Sequence, residues 1–114
     1  MLIKRGDIVL VNLEPVTGSE QGKIRPAAVI QNDTGNEYSP TTIVAPITSK
    51  IFSKEFPTNV AITRKESNLK EDSTILLNQI RTIDKSRIIK KISALNAEMM
   101  SKINLAIKVS LALE

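Results

Sequence analysis

A chain of 114 residues, of which 41% are hydrophobic and 25% charged, is long enough for one domain with a modest core, so we predict a single domain over residues 1–114. It contains no cysteine and no histidine, which excludes disulfides and thiolate sites and removes the commonest metal ligand and general base. The formal charge of +4 favours a polyanionic partner, because basic side chains gain by contacting phosphates.

Composition also limits the location and the cofactors. No apolar run approaches the roughly 20 residues that span a bilayer, and the N-terminus lacks the apolar segment of a signal peptide, so we predict a cytoplasmic protein with no membrane partner. No tight Asp/Glu cluster suggests a magnesium site, so we predict neither metal nor cofactor. Aromatic residues make up only 3%, which argues against bases stacked on rows of aromatic side chains.

Six strands are predicted along the chain, each a short apolar segment bounded by polar or turn-forming residues. The first ends at Glu14–Pro15 because proline cannot continue a ladder, and Pro46 disturbs the third for the same reason. Residues 32–36 are predicted to form a turn, and residues 64–72 a connector with one helical turn. The strands are residues 7–13, 27–31, 41–47, 58–62, 73–77 and 87–93.

The segment 96–113 predicts the one long helix. Asn96 is a suitable N-cap, and Glu98 lies in the first turn, where the helix dipole favours a negative charge. Apolar residues recur at three- and four-residue spacing: Met99, Ile103, Ala106, Ile107 and Leu111. Six short strands and one helix predict a mainly β fold with α, a small antiparallel barrel or curled sheet with the helix packed across it.

Three polar clusters lie in loops or at strand ends. They are Ser19/Glu20/Gln21/Arg25, Thr48/Ser49 and Asn78/Gln79/Arg81. The guanidinium of Arg25 is a fork that can hold a phosphate by two hydrogen bonds, and the amide of Gln79 can read a base edge. Each residue also has a purely structural explanation: a surface salt bridge for Arg25, a strand-terminating role for Thr48, and a bond to loop backbone for Gln79.

Several motifs follow one another in a fixed order along the chain: KRGDIV (4–9), GSEQG (18–22), RP (25–26), VIQND (29–33), SPT (39–41), APIT (45–48) and LLNQIRTIDK (76–85). This ordered set resembles the MazF/PemK family of toxin endoribonucleases. The resemblance implies a small Src-homology-type barrel of the CcdB/MazF kind that forms a homodimer, with an RNA groove at the interface. It implies metal-independent cleavage of single-stranded RNA at short sequence motifs. It also implies a MazE-like antitoxin whose acidic, disordered segment neutralises the toxin.

The same resemblance assigns residue roles. Arg25 and Thr48 match the family's catalytic pair, and Ser19, Glu20, Gln21 and Gln79 match positions in or beside its RNA-binding loops. Asn78 and Arg81, which flank this last position, are also predicted to bind RNA. The nucleophile is the RNA's own 2′-hydroxyl, whose attack leaves a 2′,3′-cyclic phosphate and a 5′-hydroxyl. Because an arginine rarely deprotonates, we assign Arg25 a mainly electrostatic role, with Glu20 or water as the proton acceptor.

Two other functions fit the sequence. One is a non-catalytic toxin on the same fold, resembling the CcdB toxins that act on DNA gyrase through C-terminal helix residues. The other is a module that binds RNA without cutting it. The matches at Arg25 and Thr48 favour the ribonuclease.

Overall fold

A computed structural model describes residues 2–113 and shows a strongly bent, antiparallel sheet of seven strands with a C-terminal helix packed on it. The strand order is β4-β5-β3-β2-β1-β7. β6 is not part of this order and pairs with the first half of β3. Within residues 2–113 no pairing joins β4 to β7, so the barrel-like sheet is not closed. The strands are β1 Asp7–Asn12, β2 Ile24–Val29, β3 Thr41–Thr48, β4 Asn59–Ile62, β5 Ser73–Leu76, β6 Arg81–Asp84 and β7 Ile88–Ala94.

The predicted fold class is confirmed, with one more strand than the sequence indicated. The six predicted strands are all present, and β6 lies within residues 78–84, where no strand was predicted. The predicted turn at residues 32–36 is a short helix, α1 (Asp33–Tyr38), and the predicted helical turn in the connector is α2 (Arg64–Ser67). A single 3-10 turn, Lys85–Arg87, joins β6 to β7.

β3 is the central strand because successive parts of it pair with three different neighbours. Residues 41–44 pair with β6, residues 44–46 with β2, and residues 47–48 with β5. Pro46 has no N–H to donate, and it lies between the residues of β3 that pair with β6 and those that pair with β5. The disturbance that the sequence predicted at this proline is therefore the point where the sheet changes partners.

Two apolar clusters lie on opposite faces of the sheet, as the side-chain alternation of β1 requires. Ile8 belongs to the cluster under the C-terminal helix, whereas Val9 and Val11 belong to the other. The C-terminal helix, α3 (Ala97–Ser110), buries Met99, Ile103 and Ala106 of the predicted stripe, but Leu111 at its C-cap is 51% exposed. The predicted N-cap is confirmed, because the Asn96 side chain accepts the Met99 N–H at 2.9 Å. No helix among the described residues is long and apolar enough to cross a membrane.

Asp33 at the start of α1 ties the N-terminal segment to the fold and makes it sensitive to acid. Its carboxylate accepts the Arg5 backbone N–H at 2.6 Å and an Asn36 side-chain N–H at 3.2 Å, and these bonds lower the pKa of Asp33. A lowered folded-state pKa means that the ionised form stabilises the fold above the ordinary aspartate pKa of about 4. This stabilisation is lost as the pH falls through the folded-state value.

We therefore expect the free energy of unfolding to decrease as the pH is lowered below about 4, and Asp33→Asn to make that decrease smaller. Urea denaturation at stepped pH measures both. A variant with the same acid dependence as the original protein would show that other carboxylates are responsible.

Candidate active site

Arg25 and Thr48 come together because β2 and β3 are antiparallel neighbours. The ladder pairs Ala27 with Pro46 and Val29 with Val44, so extending this register by two residues places Arg25 opposite Thr48. Both residues are half-buried and both line one open cavity of about 720 Å³. Two side chains far apart in the sequence thus face a common concave surface within one chain.

The Arg25 side chain is fixed by a hydrogen bond from Nε, which leaves its two terminal nitrogens, Nη1 and Nη2, available for a ligand. Its Nε donates to the carbonyl oxygen of Gly22 at 2.7 Å. Within residues 2–113 its terminal nitrogens have no hydrogen-bond acceptor, and the salt bridge found there joins Lys91 to Asp7 instead. Within these residues the geometry therefore does not support the alternative in which Arg25 only forms a surface salt bridge. In a guanidinium group, the edge formed by the two terminal nitrogens is able to hold a phosphate by two hydrogen bonds.

The hydroxyl of Thr48 is positioned by the backbone that follows it. Its Oγ1 accepts the Lys50 N–H at 3.2 Å. A threonine hydroxyl that accepts one hydrogen bond keeps its own proton for donation. Thr48 can therefore donate to an oxygen atom of an anion bound beside Arg25.

The cavity has further cationic residues that the sequence analysis did not place there. Lys70, in the connection between α2 and β5, and Lys90, in β7, both line it, together with the acidic Glu71. Asn68 lies at the turn into this segment with a φ of 60°. The charge of Lys70 was visible in the sequence, but only the fold of the connector brings it to Arg25. The cavity lining carries more positive than negative charge, which suits a phosphodiester.

A second cavity, of about 460 Å³, collects the residues predicted to bind RNA. The loop between β1 and β2 forms one side, and the segment between β5 and β6 forms the other. Ile80 is the one lining residue outside the prediction. The predicted residues that line this cavity are Ser19, Glu20, Gln21, Asn78, Gln79 and Arg81.

Two hydrogen bonds join the two sides of this second cavity. The Gln21 N–H donates to Gln79 Oε1 at 2.8 Å, and Arg81 Nη1 donates to the carbonyl oxygen of Leu13 at 2.9 Å. Gly22, next to Gln21, provides the carbonyl that holds Arg25. Residues 21–22 therefore connect the second cavity to the first through consecutive backbone groups.

Glu20 does not line the cavity that Arg25 and Thr48 share. Its carboxylate accepts the Thr17 N–H at 3.2 Å in the exposed loop. Its role as proton acceptor stays a prediction. Within the described part of the chain, no group of three or more carboxylate, histidine or cysteine side chains lies close enough to hold a metal ion.

Replacing Gln79 with leucine keeps the side-chain size but removes the acceptor of the Gln21 N–H. The loss of one partly buried hydrogen bond of about 1 kcal/mol should raise the hydrogen-exchange rate of the Gln21 amide roughly fivefold. Amide exchange followed by NMR measures this rate. Gln79→Glu keeps the acceptor oxygen and serves as the control; equal exchange in all three proteins would mean that the bond does not order the loop.

Comparisons with known proteins agree with this geometry. A family model described as PemK-like, MazF-like toxin of type II toxin–antitoxin system matches residues 4–111. The chain is 54% identical to Endoribonuclease EndoA of Bacillus subtilis (strain 168), over 99% of this chain and 97% of that protein. It is 52% identical to Endoribonuclease MazF of Staphylococcus saprophyticus, over 98% of this chain and 93% of that protein.

Solved structures support the same fold. MazF from Deinococcus radiodurans superposes with a TM-score of 0.83 at 24% identity and 98% coverage of both chains. A mycobacterial endoribonuclease in complex with its cognate antitoxin gives a TM-score of 0.81 at 20% identity, over 98% of this chain and 97% of that one.

The two sequence relatives confirm the prediction of an endoribonuclease at the level of the family, in preference to the gyrase-directed alternative. The chain belongs to the PemK-like, MazF-like toxins of type II toxin–antitoxin systems.

Proposed function

We propose that this toxin is a metal-independent endoribonuclease that cleaves single-stranded RNA at short sequence motifs. The supporting observation is the cavity that Arg25 and Thr48 share, in which the outer guanidinium nitrogens have no hydrogen-bond partner among residues 2–113. RNA carries its own nucleophile, so the protein has to position the phosphate and stabilise the charge that develops on it. In this proposal residues 1–114 act as one domain in the cytoplasm, where messenger RNA is available.

The reaction that suits this inventory is attack of the 2′-hydroxyl on the adjacent phosphorus. The bond from phosphorus to the 5′-oxygen breaks and that oxygen takes a proton from water, leaving a 2′,3′-cyclic phosphate and a 5′-hydroxyl. Arg25 and Thr48 donate hydrogen bonds to the non-bridging oxygens, where charge develops in the transition state. Because an arginine guanidinium rarely gives up its proton, Glu20 or water takes the 2′-hydroxyl proton.

Sequence selection is assigned to the second cavity. Since Gln79 Oε1 accepts the Gln21 N–H, its amide nitrogen is left to donate to a base edge. The Asn78 side chain is exposed beside it and offers both a donor and an acceptor. Unpaired bases display these edges, which a duplex hides, and this favours single-stranded RNA as the substrate.

The proposal includes a homodimer and an antitoxin. The homodimer would place the cavities of both chains along one RNA groove. Arg25, Lys70 and Lys90 line the first cavity, so an acidic, disordered segment of a MazE-like antitoxin would be attracted to the same surface as RNA. One fold relative was solved in complex with its cognate antitoxin. Binding of this segment is expected to compete with RNA.

Incubation of the purified protein with a long, mixed-sequence RNA in EDTA tests the proposal. We expect discrete fragments. Each upstream fragment should end in a 2′,3′-cyclic phosphate, and each downstream fragment should begin with a 5′-hydroxyl that polynucleotide kinase phosphorylates directly. Saturating antitoxin should abolish the fragments. Cleavage that needs added Mg²⁺ would contradict metal independence, and binding without any cleavage would support the RNA-binding alternative.

A further inference from the structure

The connection between β3 and β4 carries both phenylalanines of the chain, and the proposed reaction uses neither. Phe52 and Phe56 form an edge-to-face pair, with ring centroids 5.8 Å apart and an interplanar angle of 83°. Lys50 Nζ lies 4.9 Å from the centroid of the Phe52 ring, in a cation–π contact. Phe56 is nevertheless 47% exposed, so the pair presents aromatic surface to solvent.

These aromatic side chains line a third cavity, of about 490 Å³, next to strands β4 and β5. The segment that forms it is hydrogen-bonded at both ends. Lys50 donates its N–H to Thr48 Oγ1 and accepts from Thr74 Oγ1 at 3.0 Å, and the Asn59 N–H donates to the carbonyl oxygen of Phe56 at 2.9 Å. Both ends of the segment that carries the aromatic pair are therefore fixed by hydrogen bonds, which reduces the entropy lost on binding.

The strand register places this third cavity beside the predicted catalytic hydroxyl. Thr48 of β3 pairs with Thr74 of β5, and Thr74 pairs with Ala61 of β4. Thr74 and Ala61 both line the cavity. Since neighbouring strands are about 4.8 Å apart, the cavity begins within about 10 Å of Thr48. It lies on the side of β3 away from β2 and Arg25.

We propose that Phe52 and Phe56 form a stacking site for one nucleobase of the RNA next to the scissile phosphate. The inference rests on the proposed function, because it takes the phosphate to lie at Arg25 and Thr48. An aromatic face with Lys50 over the Phe52 ring and Lys54 in the lining, within about 10 Å of Thr48, is a combination that suits single-stranded nucleic acid; the acidic Glu55 also lines the cavity. An apolar peptide side chain would not need the two lysines.

The chemistry also predicts what kind of recognition this site provides. Every base has a π-face, so stacking tolerates any base and adds affinity without selecting a sequence. The low aromatic content argued against rows of stacking residues, and the fold instead brings two of the chain's three aromatic residues together at one point. The flanking position should therefore accept all four bases but not the absence of a base.

A series of short cleavable RNAs, each with one abasic nucleotide at a different position flanking the cut, tests the stacking site. For the original protein we expect kcat/KM to fall about tenfold for one flanking position, whichever base is removed there. In the Phe52→Leu/Phe56→Leu double variant this penalty should vanish, while intact RNA is cleaved about tenfold less efficiently. The penalties at other positions should be the same in both proteins.

Two matched variants control the experiment. Phe52→Tyr/Phe56→Tyr keeps the aromatic faces and should restore the penalty, whereas Tyr38→Leu removes an exposed aromatic from α1 and should change nothing. Thermal unfolding establishes that the variants are folded. If the leucine variant is unfolded, the tyrosine variant is compared with Phe52→Leu alone.

Identical abasic profiles in the leucine variant and the original protein would overturn the stacking site. So would a leucine variant that binds the antitoxin more weakly but processes every RNA normally, since the cavity would then belong to a peptide. If the original protein cleaves no RNA, the proposed function fails separately. Binding of the abasic RNAs is then measured by fluorescence anisotropy, and the comparison of the leucine variant with the original protein decides the inference.

Discussion

Replacement of Arg25 with alanine is expected to lower kcat for RNA cleavage by roughly 100- to 1,000-fold without unfolding the protein. That is the usual cost of removing one donor aimed at charge that develops in a transition state. The fold should survive because Arg25 is only half-buried, and its side chain makes one hydrogen bond within the described residues, to the Gly22 carbonyl oxygen. Single-turnover cleavage of a labelled RNA, with circular dichroism as the check on folding, measures both effects.

Two further substitutions separate charge from geometry. Arg25→Lys keeps the charge but not the planar fork, so we expect it to recover only part of the lost rate. Arg64→Ala removes an exposed arginine from α2 that does not line the cavity, and it should cleave at the original rate. Full activity in a folded Arg25→Ala protein would remove Arg25 from the mechanism.

Replacement of Asn36 with alanine is expected to lower the free energy of unfolding by about 2–4 kcal/mol, a large fraction of the stability of a small domain. Asn36 is buried in α1, and its Oδ1 accepts from the fully buried Thr42 hydroxyl at 2.7 Å. Its Nδ2 donates to the carbonyl oxygen of Gln31 at 2.9 Å. Truncation leaves the Thr42 hydroxyl without this acceptor, and the desolvation cost of a buried polar group is then uncompensated.

Guanidinium denaturation measures this loss. Asn104→Ala is the matched control, because Asn104 is exposed on α3 and accepts one hydrogen bond, from Arg5. The control should lose less than about 1 kcal/mol. A loss of the same size in both variants would show that burial of the Asn36 network does not matter. Below its unfolding transition the Asn36→Ala protein should still cleave RNA, since Asn36 lines neither of the two cavities proposed to bind RNA.

The sequence determined by itself those elements whose pattern is local and strongly periodic. The stripe and N-cap of α3 follow from helical spacing and from one side chain, Asn96. The apolar run of residues 7–13 predicted a strand, and Ile8 and Val9 of β1 lie in different apolar clusters. The ordered motifs were also enough to identify the family, because their combination is far more specific than any one of them.

The tertiary structure decided the elements that exist only through their partners. β6 is short and half of its residues are exposed, so no periodicity marks it, and it is a strand because it pairs with the start of β3. Residues 32–36 look like a turn because they combine asparagine, aspartate and glycine. They become the start of α1 since Asn32 caps the helix and Asn36 finds buried hydrogen-bond partners.

The grouping of the site residues likewise depends on the fold. The sequence predicted Arg25 and Thr48 as a pair through resemblance alone, and the antiparallel register of β2 and β3 gives the physical reason for their meeting. Loop paths and strand order decide that Glu20 lines a different cavity. They also decide that Phe52 and Phe56 line a third cavity together with Thr74, the strand partner of Thr48. Contacts between residues distant in the chain are fixed by strand pairing and packing, which no local pattern records.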